Sequence, residues 1–274
     1  MSEPSLIRRE SPTLPGRFSR ASWLSTALFA LFLGFFLWSL AGAGMSMQRL
    51  LSGLPNMGAI AGEMFPPATD RAQPILKAIL VTFQMALVGT VIGVILSVPM
   101  ALLAAQNTSP HPVVRYLTRS IISFMRTVPD LAWALFFVVS VGLGPFAGTL
   151  TIIVDTIGFC GRFFAEAFEE VDPGPSEALD AIGSNPLDRI AVVQIPSALP
   201  GMINSSLFSL EKGVRSSVVL GLVGAGGIGA ELAVSMEMFR YDQASFIILA
   251  IFVLVFTVEH ISSRMREQLL HQNR

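Results

Sequence analysis

The segment SEALDAIGSNPLDRIAVVQIP, residues Ser176–Pro196, is the longest polar interruption in the hydrophobic second half of the chain. Ser176 is predicted to cap a short helix, and Gly183 is predicted to end it by entering a left-handed conformation. Asn185 is predicted to cap a second helix, which Pro196 limits at its far end. The segment therefore predicts a helix–turn–helix protrusion between two hydrophobic stretches, exposed on one aqueous side.

The overall composition places the chain in the membrane class. Of its 274 residues, 52% are hydrophobic and only 14% are charged, which fits a soluble enzyme core poorly. The net charge of −1 provides no basic signature for binding nucleic acid. Cys160 is the only cysteine, and the three histidines are far apart in sequence. We therefore expect no disulfide, no metal site and no cofactor bound by this chain.

The N-terminal region predicts one membrane span followed by an outer loop. After a polar tail at 1–22, an apolar run is long enough to cross a bilayer and predicts a transmembrane helix at 23–44. The basic leader also resembles a signal peptide, but the run exceeds a typical signal core, so we expect the span to be retained. Residues 45–74 contain four prolines and predict an extracytoplasmic loop with a short helix at most, at Arg49–Leu54.

Residues 75–262 predict the membrane core, and residues 263–274 a C-terminal tail. Gly89 and Gly93, four residues apart, have the small-residue spacing for close helix contact. The third span is interrupted at Arg126–Asp130. The spans are predicted at Ile75–Ala105, Ser120–Leu143, Phe146–Ala165, Leu199–Val223 and Ala244–Ile261. Together with the first span, these make an all-α polytopic membrane protein of about six helices.

The distribution of Lys and Arg between loops predicts the orientation in the membrane. With the N-terminus inside, eleven of these residues fall on the cytoplasmic side and four on the outer side. Because cytoplasmic loops are enriched in Lys and Arg, this bias predicts that both termini are cytoplasmic. It also places Glu177 and the rest of the protrusion in the cytoplasm, independently of any motif.

Several charged residues fall within predicted spans, where a charge near the centre of a helix costs roughly 2.5–3.5 kcal/mol. We therefore expect them to face the bundle interior, an aqueous path or each other. Two of them, Glu211 and Arg215, share a helix face and could pair. These residues include Asp130, Asp155, Glu211, Lys212 and Arg215.

A glycine-rich run follows the fifth predicted span and contains Gly224, Gly226, Gly227 and Gly229. The spacing Gly-x-Gly-x-x-Gly fits a dinucleotide-binding fingerprint. That interpretation requires a preceding β-strand, whereas the preceding segment predicts a membrane span. We therefore interpret the glycines as a gate or a site of close packing at the outer membrane face.

The protrusion resembles the EAA loop of importer-type ABC permeases. The departures are Leu179, at the second alanine of the motif, Val193 and Ile195, all of them apolar. The resemblance implies that a coupling loop at 172–197 docks on a cytoplasmic ATPase. The residues that match the motif's spacing are Glu177, Ala178, Ala181, Gly183, Val193, Ile195 and Pro196.

Two further segments, Arg126–Leu135 and Val214–Gly229, with Phe239–Asp242 after them, resemble phosphonate permeases. This resemblance implies a type I ABC importer fold in the bacterial inner membrane. It also implies a homodimer that binds two ATPase subunits and an extracytoplasmic solute-binding protein. ATP and Mg²⁺ would be bound by the ATPases, since this chain has no Walker A sequence. The implied solutes are phosphonates, phosphite or hypophosphite.

An anionic solute favours basic residues along its route, so we interpret Arg126 and Arg215, with Asp130 and Glu211, as candidate pathway residues. A methionine-type permease is the alternative within the family, because it shares the glycine-rich segment. A secondary transporter is less favoured because no internal repeat is visible and the coupling loop would be unexplained. An intramembrane hydrolase would need a nucleophile next to a base, and no such pair is apparent.

Overall fold

The computed structural model describes residues 20–272 of the chain, and every regular element within them is helical. The chain divides into two units, residues 1–59 and residues 60–274. The helices are α1 (Arg20–Gly42), α2 (Met47–Glu63), α3 (Ala72–Ala104), α4 (Pro112–Thr127), α5 (Asp130–Val141), α6 (Pro145–Glu169), α7 (Pro173–Ala181), α8 (Pro186–Arg189), α9 (Ile195–Leu220), α10 (Gly227–Glu237) and α11 (Tyr241–Gln272).

Within the described residues, five helical segments are long and apolar enough to cross a membrane, and a bent pair makes a sixth. The sequence prediction of about six spans is therefore confirmed. The five are Trp23–Gly42, Ala72–Ala104, Pro145–Glu169, Pro186–Ala225 and Tyr241–Gln268.

The loop predicted at 45–74 is more helical than expected. α2 runs for 17 residues and carries Pro55 in its interior, so the prediction of a short helix at Arg49–Leu54 was wrong. Proline removes one backbone hydrogen bond of a helix, here the one to the Leu51 carbonyl. The residues on either side, rich in Leu, Met and Ala, are good helix formers that continue the helix through that loss.

The predicted interruption of the third span is a sharp bend. α4 and α5 meet at about 90° across a break of two residues. Val128 has extended backbone angles (φ −74°, ψ 124°), as a residue before proline prefers, and Pro129 is the N-cap residue of α5. The Trp133 indole N–H donates to the Met125 carbonyl at 3.3 Å, so one of the free carbonyls at the end of α4 gains a partner.

α6 is the central helix of the second unit and packs against α3, α4, α5 and α9. Its closest neighbour is α3, where Gly89 and Gly93 lie against Ile152 and Thr156. A Cβ atom on Gly93 would lie 2.5 Å from the Cβ of Thr156. The predicted close helix contact at these two glycines is thus confirmed.

Pro196 does not end the helix of the protrusion, contrary to the sequence prediction. A π-helical turn at Ile190–Gln194 joins α8 to α9, so the helical run continues from Pro186 to the end of α9 at Leu220. The Ile195 amide donates to the Ile190 carbonyl, five residues earlier. This widened turn lies directly before Pro196 and relieves the clash that a proline ring makes with the preceding turn.

Candidate coupling loop and intramembrane polar cluster

The turn between α7 and α8 has the backbone geometry that its sequence predicts. Gly183 has φ +78°, its amide donates to the Asp180 carbonyl at 3.0 Å, and the Ser184 amide donates to the Leu179 carbonyl at 3.1 Å. These two bonds form a Schellman motif, which needs a left-handed residue after the helix. The Asn185 side chain accepts from the Leu187 amide at 3.3 Å, so its predicted role as a cap is confirmed.

The cap at the start of α7 was predicted wrongly. α7 begins at Pro173, and the carboxylate of Asp172 accepts a hydrogen bond from the Gly174 amide at 2.9 Å. Ser176, the predicted cap, is buried inside the helix. An Asp followed by Pro is a strong helix start, because proline at the first position needs no hydrogen-bond partner for its nitrogen.

The outer surface of the coupling loop is open and partly apolar. Glu177, Ala178, Ala181, Gly183 and Pro196, the residues of the predicted coupling site, are all exposed. The side chains of Ile182 and Leu187 at the tip are 78% and 70% exposed. An ion pair of 3.0 Å between Arg189 Nη1 and Asp180 Oδ2 joins α8 to α7. The loop therefore presents a braced surface on which another protein can pack.

A chain of hydrogen bonds connects the coupling loop to the membrane core. The Gln194 amide donates to the Ser176 hydroxyl at 3.2 Å and accepts from the Asn107 amide at 3.1 Å. Asn107 also donates to the carbonyl of Phe168, near the end of α6, at 2.6 Å. These bonds therefore attach the coupling loop to the end of α6 and to the segment that follows α3.

Inside the core, four polar side chains form a cluster that we call the polar cluster. Lys212 Nζ lies 2.6 Å from Asp155 Oδ1, and the Ser216 hydroxyl donates to Asp130 Oδ2 at 3.0 Å. The carboxyl groups of Asp130 and Asp155 are close enough to interact electrostatically. The polar cluster thus links α5, α6 and α9 at the bend between α4 and α5.

Of the predicted pathway residues, Asp130 and Arg215 lie together. Both line a cavity of about 430 Å³ beside the bend, with Lys212 and Ser216. Arg215 is exposed and makes no ion pair with any residue that the structure describes.

Glu211 forms an ion pair with Arg266 of α11, and not with Arg215, the residue four positions further along α9 with which it could pair by sequence spacing. Its carboxylate lies 2.7 Å from Arg266 Nη2. Glu211 is 6% exposed, so Arg266 reaches it inside the α9–α11 contact. Glu211, Arg266 and Arg215 nevertheless line a shared cavity of about 610 Å³.

Arg126 is separated from the other three pathway candidates. It lines another cavity, of about 280 Å³, with Arg119, Arg162, Glu166 and Glu169. Its guanidinium carbon lies 6.0 Å from the ring centre of Phe163, which is close enough for a weak cation–π contact. The structure therefore groups Asp130 with Arg215, and Arg215 with Glu211, but does not bring Arg126 to them.

The glycine-rich run forms the sharp reversal between α9 and α10. Gly224, Gly226 and Gly227 have φ of +100°, +76° and +69°, which side chains rarely adopt. A Cβ on Gly229 would overlap the carbonyl oxygen of Val218 and lie 2.9 Å from the Cα of Gly221. The backbones of α9 and α10 thus touch where Gly229 lies.

Lys212, Asp155 and Ser216 are site residues that the sequence interpretation did not assign to the pathway. The sequence could have indicated Lys212 and Asp155, because both are charged residues within predicted spans. It indicated Ser216 only weakly, through the helical spacing that places Ser216 on one face of α9 with Lys212, Arg215 and Val219. Among the residues that the structure describes, no group of His, Cys, Asp and Glu could hold a metal ion.

Known permeases resemble this chain over most of its length. The phosphite transport system permease protein PtxC of Stutzerimonas stutzeri is 35% identical over 223 residues, 81% of each chain. The phosphate-import permease protein PhnE of Mycolicibacterium smegmatis is 36% identical over 238 residues. That match covers 87% of this chain but only 42% of the mycobacterial protein, so the chain spans less than half of that relative's length.

Methionine permeases are more distant. A probable D-methionine transport system permease protein of Vibrio cholerae, MetI, is 31% identical over 61% of this chain. A chain of the inward-facing MetNI methionine ABC transporter has the same fold, with a TM-score of 0.64 over 74% of this chain and 99% of that one, at 22% identity. The predicted type I ABC importer fold of a multi-pass membrane protein is therefore confirmed.

The family model for the binding-protein-dependent transport system inner membrane component matches residues 97–267, which include the bend, the polar cluster and the whole coupling loop. This match leaves a secondary transporter or an intramembrane hydrolase without support. The chain belongs to the family of inner membrane permease components of binding-protein-dependent transport systems.

Proposed function

We propose that this protein is the permease subunit of an ATP-driven importer for phosphonates or related phosphorus oxyanions, such as phosphite and hypophosphite. The observation that carries the proposal is the similarity to PtxC, a phosphite permease, at 35% identity over four fifths of both chains. A methionine-type importer is less well supported, because the methionine relative matches a smaller share of the chain at lower identity.

The working assembly that we propose is a homodimer in the bacterial inner membrane, with both termini in the cytoplasm. The translocation path would run between the two copies. Two ATPase subunits would bind the coupling loops, and an extracytoplasmic binding protein would deliver the solute. The exposed apolar tip at Ile182 and Leu187 supports docking of a partner, since such side chains are normally covered in a working complex.

ATP hydrolysis would reach the membrane through the coupling loop. ATP and Mg²⁺ would be held by the ATPase, and this chain would contribute the docking surface around Glu177, Ala178, Ala181 and Gly183. Closure of the ATPases would displace the loop, and the Ser176–Gln194–Asn107 hydrogen bonds would pass that displacement to the core. Two observations support this mechanism: the braced loop, and its hydrogen bonds to Asn107, which follows α3 and in turn bonds the end of α6.

The solute path would pass the polar residues of the core. Arg126, Asp130, Glu211 and Arg215 are the proposed pathway residues, and they fall into neighbouring cavities rather than one site. Gly224, Gly226, Gly227 and Gly229 would form a gate or a tight packing site, since their backbone leaves no room for side chains.

Reconstitution tests the proposal. The full chain is inserted into vesicles with its ATPase and binding protein, and hydrolysis and uptake are measured with methylphosphonate, phosphite, phosphate and methionine. Stimulation by phosphonate or phosphite, dependent on both partners, is the expected result. Stimulation by methionine alone would overturn the proposed solute class, and uptake without the ATPase would overturn the proposed mechanism.

A further inference from the structure

The cavity of about 430 Å³ at the bend between α4 and α5, which we call the bend cavity, is a candidate binding site that the function above does not specify. We propose that it binds the phosphorus oxyanion in transit, with Arg215 as the cation that attracts the anion and Asp130 as the group that limits its affinity. The proposal rests on the proposed function for its ligand class. The residues that line the bend cavity are Pro129, Asp130, Leu131, Lys212, Arg215, Ser216, Val219 and Leu220.

Arg215 is the charged residue of the bend cavity and the polar cluster that has no ionic or hydrogen-bonded partner among the described residues. The four neighbouring charged residues each have one: Asp155 with Lys212, Asp130 with Ser216, and Glu211 with Arg266. An unpaired charge within a membrane span needs water or a counter-ion, and a guanidinium binds tetrahedral oxyanions with paired N–H donors.

Two further donors line the same wall as Arg215. Lys212 and Ser216 lie three residues before and one residue after it on α9, so all three reach the bend cavity from one helix face. The Lys212 ammonium has three N–H groups, and its hydrogen bond to Asp155 at 2.6 Å occupies one of them. The remaining donors can approach an oxyanion without breaking the pair with Asp155.

The carboxylates set how tightly such an anion is held. Asp130 and Asp155 balance Lys212 and Arg215, so the four groups have no net charge when all are ionised. A neutral site with directed donors binds an anion weakly and releases it, which a conduction path requires. Removal of the Asp130 charge leaves a net positive site, and we expect anion affinity to rise roughly tenfold.

The experiment measures binding to the full chain in lipid nanodiscs, without ATPase or binding protein. Phosphite and methylphosphonate are titrated, and their ³¹P NMR linewidths report the bound fraction. Arg215→Gln is expected to weaken binding roughly tenfold and Arg215→Lys to restore part of it, whereas Asp130→Asn should tighten binding roughly tenfold. Arg264→Gln, at an exposed position of α11, is the matched control and should bind as the wild type does.

A second readout separates this site from the proposed function. In vesicles with ATPase and binding protein, Asp130→Asn should import phosphite more slowly than the wild type, because release becomes slow. Wild-type import together with unchanged binding in both Arg215→Gln and Asp130→Asn would overturn the site and leave the proposed function standing. Absence of phosphorus oxyanion import by the wild-type complex would overturn the function, and binding that still depended on Arg215 would support an anion site alone.

Discussion

The contact between α3 and α6 allows one prediction to be worked out from distances. Gly93 faces Thr156, and an alanine Cβ there would lie 2.5 Å from the Cβ and 2.6 Å from the Cγ2 of Thr156. It would also lie 3.1 Å from the Ile153 carbonyl oxygen. Carbon atoms in good contact are roughly 3.5–4.0 Å apart, so Gly93→Ala requires the two helices to separate by about 1 Å.

The expected loss of stability is the difference between two effects. Forcing an extra methyl group into a packed contact costs about 1–3 kcal/mol, and Thr156 is fully buried. Alanine in place of glycine favours a helix by about 1 kcal/mol. The net loss is therefore about 0–2 kcal/mol, which for a domain of this size lowers Tm by up to about 8 °C. Gly34→Ala should gain the helix propensity without the overpacking, so Gly93→Ala should melt below it.

Cys160 provides the assay, because it is the only cysteine of the chain and is buried. A thiol-reactive dye in detergent will label it only as the protein unfolds, so dye fluorescence against temperature gives Tm. Gly34→Ala is the matched control, since a Cβ on Gly34 of α1 would meet nothing within 4 Å. A Tm for Gly93→Ala equal to or above that of Gly34→Ala would refute the reasoning.

Three other variants test contacts described above. Gly183→Val forces a branched side chain to φ +78°, at a cost of about 1–2 kcal/mol, and should reduce ATP-driven uptake in vesicles. Gly183→Asn is the control and should preserve uptake, because asparagine tolerates this conformation. Equal uptake by the two variants would contradict a role for this turn. A double-mutant cycle of Asp155→Asn and Lys212→Met, measured by dye melting, should give a coupling of about 1–3 kcal/mol, and simple additivity would contradict the pair. Glu211→Gln leaves Arg266 without its counter-ion and should lower the stability of the protein by about 3 kcal/mol in the same assay. Adding Arg266→Met removes the unpaired charge and should restore part of that stability. No recovery in the double variant would contradict the ion pair.

Local backbone rules predicted the parts of the coupling loop that depend on neighbouring residues alone. Gly183 and Asn185 act through bonds to residues two to five positions away, so their types and order were enough. Ser176 was misread because Asp172–Pro173, a few residues earlier, is a competing helix start, and the serine's buried hydrogen bond to Gln194 is a tertiary contact. Pro196 was misread because a π-helical turn before it removes the clash that normally ends a helix.

The intramembrane residues show a second limit of prediction from sequence. The cost of burying charge predicted that Asp130, Asp155 and Lys212 would find partners, and they did. Which partner each would find depended on the packing of distant helices. Glu211 pairs with an arginine, as expected, but the arginine is Arg266, which lies beyond the last predicted span. Cavities between helices are likewise a product of packing.

The helical run from Pro186 through α9 to Leu220 has a mechanical consequence. At about 1.5 Å per residue it forms a rod roughly 50 Å long, with one end in the coupling loop and the other next to the glycine-rich reversal. Tilting such a rod by about 5° swings its far end through roughly 4 Å, most of one helical turn. Under the proposed mechanism, the stiffness of the π-helical turn at Ile190–Gln194 would determine how much of a displacement of the coupling loop reaches the glycine-rich reversal.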